Sequence, residues 1–123
     1  MNILVFITAF LSVLLTSFAQ IALRKTMLSV DKLPSSLAEG VHFCIHLTLN
    51  AWFIIGMSLY VFSLALWLVV LKKIEVSQAY PLSAMGFLIT AVIGYFFLNE
   101  DLNILRIVGL LLIVVGIFII SRS

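Results

Sequence analysis

Four apolar runs, Ile3 to Leu23, Ala51 to Leu71, Ala79 to Leu98 and Ile104 to Ile120, alternate with short segments that hold nearly all the charged residues. At about 1.5 Å of rise per residue the first three reach roughly 30 Å, the thickness of a hydrocarbon core, and the fourth spans it if its ends extend slightly. Each run is predicted to be a transmembrane helix. The separators are Arg24, Lys25, Asp31, Lys32 and Glu39 after the first, Lys72, Lys73 and Glu75 after the second, and Glu100 and Asp101 after the third. The last two connections are tight. They impose antiparallel neighbours, so the helices alternate up and down and both termini fall on one side.

The first connection has structure of its own. Pro34-Ser35-Ser36 followed by Glu39 is the pattern of a helix N-terminus, and it leads into Leu37, Val41, Ile45 and Leu49 at intervals of four. This predicts a short amphipathic helix in the membrane interface, running on into the second span at Trp52, an aromatic suited to a headgroup belt. The expected fold is an all-α integral membrane protein, one unit over residues 1–123, with four transmembrane helices and an interfacial helix between the first and second.

Polar positions inside the spans are ordered as well. Thr8, Ser12, Thr16 and Gln20 recur every four residues in the first span. Gly56, Tyr60, Ser63 and Trp67 follow at four, three and four in the second, and Ser83, Gly86, Thr90 and Gly94 at three, four and four in the third. Residues so spaced share a helix face. Small and hydroxyl side chains let membrane helices approach and hydrogen-bond, which needs no cavity. Tyr60, Trp67 and Tyr80 are too large for close packing and suit a pathway in which aromatic faces stack on a substrate. The fourth span has no polar side chain from Ile107 to Ile120; its Gly109, Ile113 and Gly116 make it the expected dimer interface.

Composition agrees with the pattern. Of 123 residues, 64% are hydrophobic and 10% charged, against about 25% charged in soluble domains, so the bilayer is the solvent for most of the chain. A net charge of +2 scattered between apolar runs excludes a nucleic-acid surface. Met1 to Leu23 has no basic residue, so the first run is expected to be a span and not a cleaved leader. Lys72, Lys73 and Arg122 lie on the side of the termini, against Arg24, Lys25, Lys32 and Arg106 on the other. With charges so balanced, the positive-inside rule favours neither orientation; insertion in both orientations and a partner that fixes one are both compatible with it. The single cysteine, Cys44, forms no internal disulfide. With His42 and His46 it makes a His-x-Cys-x-His cluster, but on a helix only the two histidines share a face, too few ligands for zinc. No catalytic constellation occurs, and neither an enzyme nor a cofactor is expected.

The segment from Ala65 through Ser83, with the Phe97-Leu98-Asn99-Glu100-Asp101-Leu102 turn and the Gly109 to Gly116 seam, resembles the drug/metabolite transporter superfamily. More narrowly, it is similar to its four-helix EamA-like and small multidrug resistance proteins. The resemblance implies a dimeric transporter. The multidrug members carry a glutamate within the first helix that binds protons and cationic drugs; here that region reads Leu14-Leu15-Thr16-Ser17-Phe18, and no acidic residue lies inside any span. Tyr80 stands where those exporters have a substrate-contacting tyrosine, and Ser83 where they have a tryptophan. Gln20, Trp67 to Leu71 and Ala79 to Pro81 resemble more closely the small flippase subunits for polyprenyl-phosphate aminoarabinose. That likeness implies a bacterial inner-membrane flippase subunit for a lipid-linked sugar phosphate, acting as a homodimer or with a similar four-helix partner. Such a substrate needs cations, a polar groove and a lipid-open side. Arg24, Lys25 and Lys72 are the expected phosphate contacts, and Gln20, Tyr60, Ser63, Trp67, Tyr80 and Ser83 the expected groove. A multidrug-type exporter and a non-transporting subunit of a glycolipid-modifying complex are the alternatives.

Overall fold

The computed structural model describes residues 3–123. Among these residues six helices form: α1 (Ile3–Leu28), α2 (Leu37–Thr48), α3 (Ala51–Lys73), α4 (Val76–Leu82), α5 (Met85–Phe97) and α6 (Ile104–Ser121). No strand occurs among the described residues. Four segments are long and apolar enough to cross a membrane: α1, α3, the α4–α5 pair taken as Val76–Phe97, and α6. The four expected spans are therefore present, the first five residues longer at its C-terminal end than its apolar run.

The third span is broken. Pro81 lies within α4 and has no N–H for the helical ladder. From Ser83 onward the bonds tighten to a three-residue spacing: Ser83 N–H donates to the Tyr80 carbonyl, Ala84 to Pro81, Gly86 to Ser83 and Phe87 to Ala84, all at 2.9 to 3.0 Å. The Ser83 hydroxyl also donates to the Tyr80 carbonyl. Every carbonyl named here has a donor, which is the condition for irregular backbone at membrane depth.

The predicted helix in the first connection is α2, and its start is a variant of the capping box. Ser36 Oγ accepts from Glu39 N–H at 3.2 Å, while the Glu39 carboxylate accepts from the backbone N–H and hydroxyl of Ser35, one residue earlier than the standard motif, at 2.9 and 2.8 Å. These bonds hold the Glu39 carboxyl below its ordinary pKa of about 4.5, the Ser35 backbone donor first and its hydroxyl second. Contrary to the expected continuity, α2 does not run into the second span. Asn50 caps α3 afresh, its side-chain oxygen accepting from Trp52 and Phe53 N–H.

α1 is the centre of the bundle. It packs against α3 along its length and against α5, whereas α3 and α5 barely meet, and α6 touches only α4 and α5 to any extent among the described residues. The α1–α3 seam is made by small residues: a Cβ added at Gly56 would lie 3.1 Å from Leu23 and 3.2 Å from the Ala19 carbonyl oxygen. Val5, Ala9, Val13, Val70, Ala79, Leu82 and Met85 form the buried apolar cluster at the terminal side. α6 buries none of its residues fully.

Candidate functional site

Because α3 and α5 diverge while both hold α1, a groove opens between them with α1 as its floor. Its volume is about 570 Å³. Ser12, Thr16, Ser17 and Gln20 supply the floor, Tyr60, Ser63 and Trp67 one wall, and Tyr80, Ser83, Phe87 and Thr90 the other. The three polar stripes of the sequence thus converge on one space.

Within that space the polar groups divide into two kinds. Ser12 and Ser63 are 1% and 3% exposed and cross-link α1 to α3. Ser12 Oγ donates to the Ser63 carbonyl at 2.8 Å, Ser63 Oγ donates to the Ser12 carbonyl at 2.7 Å, and the two hydroxyls are 3.1 Å apart. Thr16 Oγ1 lies within bonding distance of both Ser63 Oγ and the Ser12 carbonyl, the latter 3.0 Å away, and shares its single proton between them. These hydroxyls are spent on helix association. Gln20 and Tyr60 are exposed to the groove and bonded to each other, Gln20 Nε2 donating to Tyr60 Oη at 3.0 Å. Tyr80 is 71% exposed and Phe87 62%, so the wall on the α4–α5 side is open to whatever surrounds the helices. Trp67 is half-buried against the apolar cluster, which fixes its ring at the terminal end of the groove.

Of the nine residues expected to bind substrate, six line this groove: Gln20, Tyr60, Ser63, Trp67, Tyr80 and Ser83. The three cations do not. Lys72 lies in a separate depression on the terminal side with Lys73, Glu75, Ser77 and Gln78. Lys25 sits 4.6 Å from the centre of the Trp52 ring, a cation–π contact at the α1–α3 corner. Arg24 faces the turn before α6, its Nε 3.4 Å from Glu100 Oε2. The carboxylates expected in turns are there: Glu75 precedes α4, and Glu100 and Asp101 lie between α5 and α6. Phe87, which lines the groove, was legible in the sequence only as one more apolar residue.

On α6, a Cβ at Gly109 or Gly116 would meet nothing within 4 Å. The small-residue seam is unoccupied by the chain's own helices. The histidine pair of α2 gathers no further ligand, and no cluster of three or more metal-binding side chains exists among the described residues.

Residues 1–122 match the EamA-like transporter family. The chain is 31% identical over 114 residues to a probable 4-amino-4-deoxy-L-arabinose-phosphoundecaprenol flippase subunit ArnF of Enterobacter sp., covering 91% of this chain and 90% of that one. It is 26% identical to a probable subunit ArnE of the same flippase from Proteus mirabilis, over 89% and 90% of the two chains. A 60-residue stretch, 49% of this chain and 52% of the relative, is 37% identical to ArnE of Pseudomonas paraeruginosa. No solved structure matches. Four helices long and apolar enough to cross a membrane, a groove between them and a family match over almost every residue place this multi-pass membrane protein in the EamA-like transporter family.

Proposed function

We propose that the protein is one subunit of a dimeric flippase that carries a polyprenyl-phosphate-linked aminosugar across the bacterial inner membrane. The observation that carries the reading is the groove: a floor that presents Gln20, aromatic walls and an exposed α4–α5 side in one space at the middle of the spans. A sugar needs hydrogen-bonding partners inside the membrane, which Gln20, Tyr60 and Ser83 supply, and flat faces to stack on, which Trp67 and Tyr80 supply. A long isoprenoid chain needs to stay in lipid while its head passes, and the open side permits that. The phosphate needs a cation, and Arg24, one helical turn beyond Gln20, is the cation next to the groove. Lys72 and Lys25 serve as interface anchors of the two membrane faces. α2, with Leu37, Val41 and Ile45 exposed along it, lies along the interface.

The relatives named as subunits ArnE and ArnF support a similar four-helix chain as partner, and the open Gly109–Gly116 seam of α6 is where it docks. No carboxylate lies within a span to bind a drug cation and a proton in turn, which disfavours a multidrug antiporter.

The test contrasts two variants by binding to polyprenyl phosphate with and without the aminosugar at two salt concentrations. Arg24→Gln should weaken both ligands and remove the salt dependence. Trp67→Ala should weaken only the sugar-bearing ligand, by roughly 1 to 3 kcal/mol, with the salt dependence kept. Equal affinities for parent and variants would refute the assignment.

A further inference from the structure

The groove does not end at Gln20. Gln20, Phe87 and Thr90 line it and also line a second cavity of about 630 Å³, so the two spaces run into each other on the side of the membrane away from the termini. The chemistry changes there, from hydroxyls and rings to Arg24, Arg106, Glu100 and Asp101. Arg106 Nη1 donates to the Asp101 carbonyl at 2.6 Å and is committed to the turn. Arg24 faces Glu100, and theirs is the one ion pair among the described residues.

Three features of the turn bring that carboxylate to that guanidinium. Asn99 takes a left-handed conformation with φ of 55°, which reverses the chain. Glu100 N–H then donates back to the Gly94 carbonyl at 3.1 Å. Gly94, lacking a Cβ, leaves the space the Glu100 carboxylate occupies; a methyl group there would collide with Oε1. We infer that Glu100 is a built-in counter-anion that occupies the phosphate's seat at Arg24 and is exchanged for the substrate phosphate on binding. The inference rests on the flippase reading in taking the ligand to be a lipid phosphate.

The geometry suits exchange. At 3.4 Å the pair is longer than the 2.7–2.9 Å typical of charge-assisted bonds, and the two side chains are 54% and 41% exposed, so neither ion is deeply committed. A phosphate offers the guanidinium fork a matching set of oxygens and displaces the carboxylate into water. Without Glu100, an empty groove would hold an unpaired arginine that any anionic headgroup could claim. With it, weak anions are refused, and the site opens only to a ligand that binds the groove as well.

The experiment measures binding of sugar-free polyprenyl phosphate, with the uncharged polyprenol as control, to the full chain in detergent. The parent should prefer the phosphate, Arg24→Gln should abolish the preference, and Glu100→Gln should raise it by roughly twofold to fivefold, the equivalent of one exposed ion pair. Gly94→Ala, whose methyl group would displace Glu100 Oε1 without altering the charge, should raise it too. The double variant Arg24→Gln/Glu100→Gln should behave like Arg24→Gln alone. A parent preference that Arg24→Gln removes, with Glu100→Gln and Gly94→Ala unchanged or weaker, overturns the counter-anion and leaves the flippase reading standing. A preference that appears only in Glu100→Gln supports the counter-anion and tells against the flippase reading. No preference in either overturns both.

Discussion

At the scale of single residues, the polar stripes serve two ends at once. Ser12, Thr16 and Ser63 were legible as a face, but their period could not separate residues that bind helices together from residues that line a space. The difference is set by the neighbour. Ser12 and Ser63 oppose each other across a close seam and satisfy one another, while Gln20 and Tyr60 stand where α3 and α5 have parted. Close approach in that seam depends on Gly56, where an added side chain would press on Leu23 and on the immovable Ala19 carbonyl. Gly56→Leu is expected to destabilise the bundle by about 1 to 3 kcal/mol through overpacking. Gly40→Ala in α2, where a Cβ meets nothing within 4 Å, should be neutral or gain up to about 1 kcal/mol of helix propensity. Thermal unfolding in detergent measures both, and an unshifted midpoint for Gly56→Leu would contradict the packing described.

At the scale of elements, helix starts were easier to read than helix continuity. Ser36 and Glu39 announced α2, yet the break after Thr48 was passed over: Asn50, a residue type favoured at N-caps, starts α3 afresh where the apolar residues at intervals of four suggested continuity. The third run, Ala79 to Leu98, read as one helix, whereas the chain breaks it after Pro81 into a run of three-residue turns through Ser83. The α2 start has a pH signature. Glu39 has its carboxyl pKa lowered in the folded protein, so its contribution is present above the ordinary value of about 4.5 and is lost as pH falls through the lowered folded value. The amide resonance of Ser35, which donates to that carboxylate, should titrate with a midpoint below 4.5. A midpoint at or above 4.5 would mean the cap is not formed. For α6, a Cβ added at Gly109 or Gly116 would meet nothing within 4 Å, so Gly109→Leu or Gly116→Leu should leave the chain folded and break the proposed dimer. Mass measurement in detergent checks this; variants that dimerise like the parent would move the interface elsewhere.

For the molecule as a whole, the number and order of the spans followed from apolar run lengths alone, since the bilayer leaves a helical chain few alternatives. The groove did not follow, because its existence depends on α3 and α5 diverging over α1, a matter of crossing angles that no periodicity encodes. The cations showed the same limit. Lys25, Lys72 and Arg24 were equivalent as basic residues at helix ends, and only the fold separated Arg24, beside the groove, from the other two. The central claim is that the lipid-linked substrate passes through this groove. Its most direct test replaces the exposed native thiol by Cys44→Ser, introduces one reporter with Ser83→Cys in the groove wall, and follows labelling by a water-soluble thiol reagent in liposomes. If the substrate takes this route, Ser83→Cys is labelled in the absence of substrate and protected, in proportion to occupancy, by polyprenyl-phosphate aminosugar but not by polyprenol. Labelling that the lipid-linked sugar leaves unchanged at saturating concentration would contradict it.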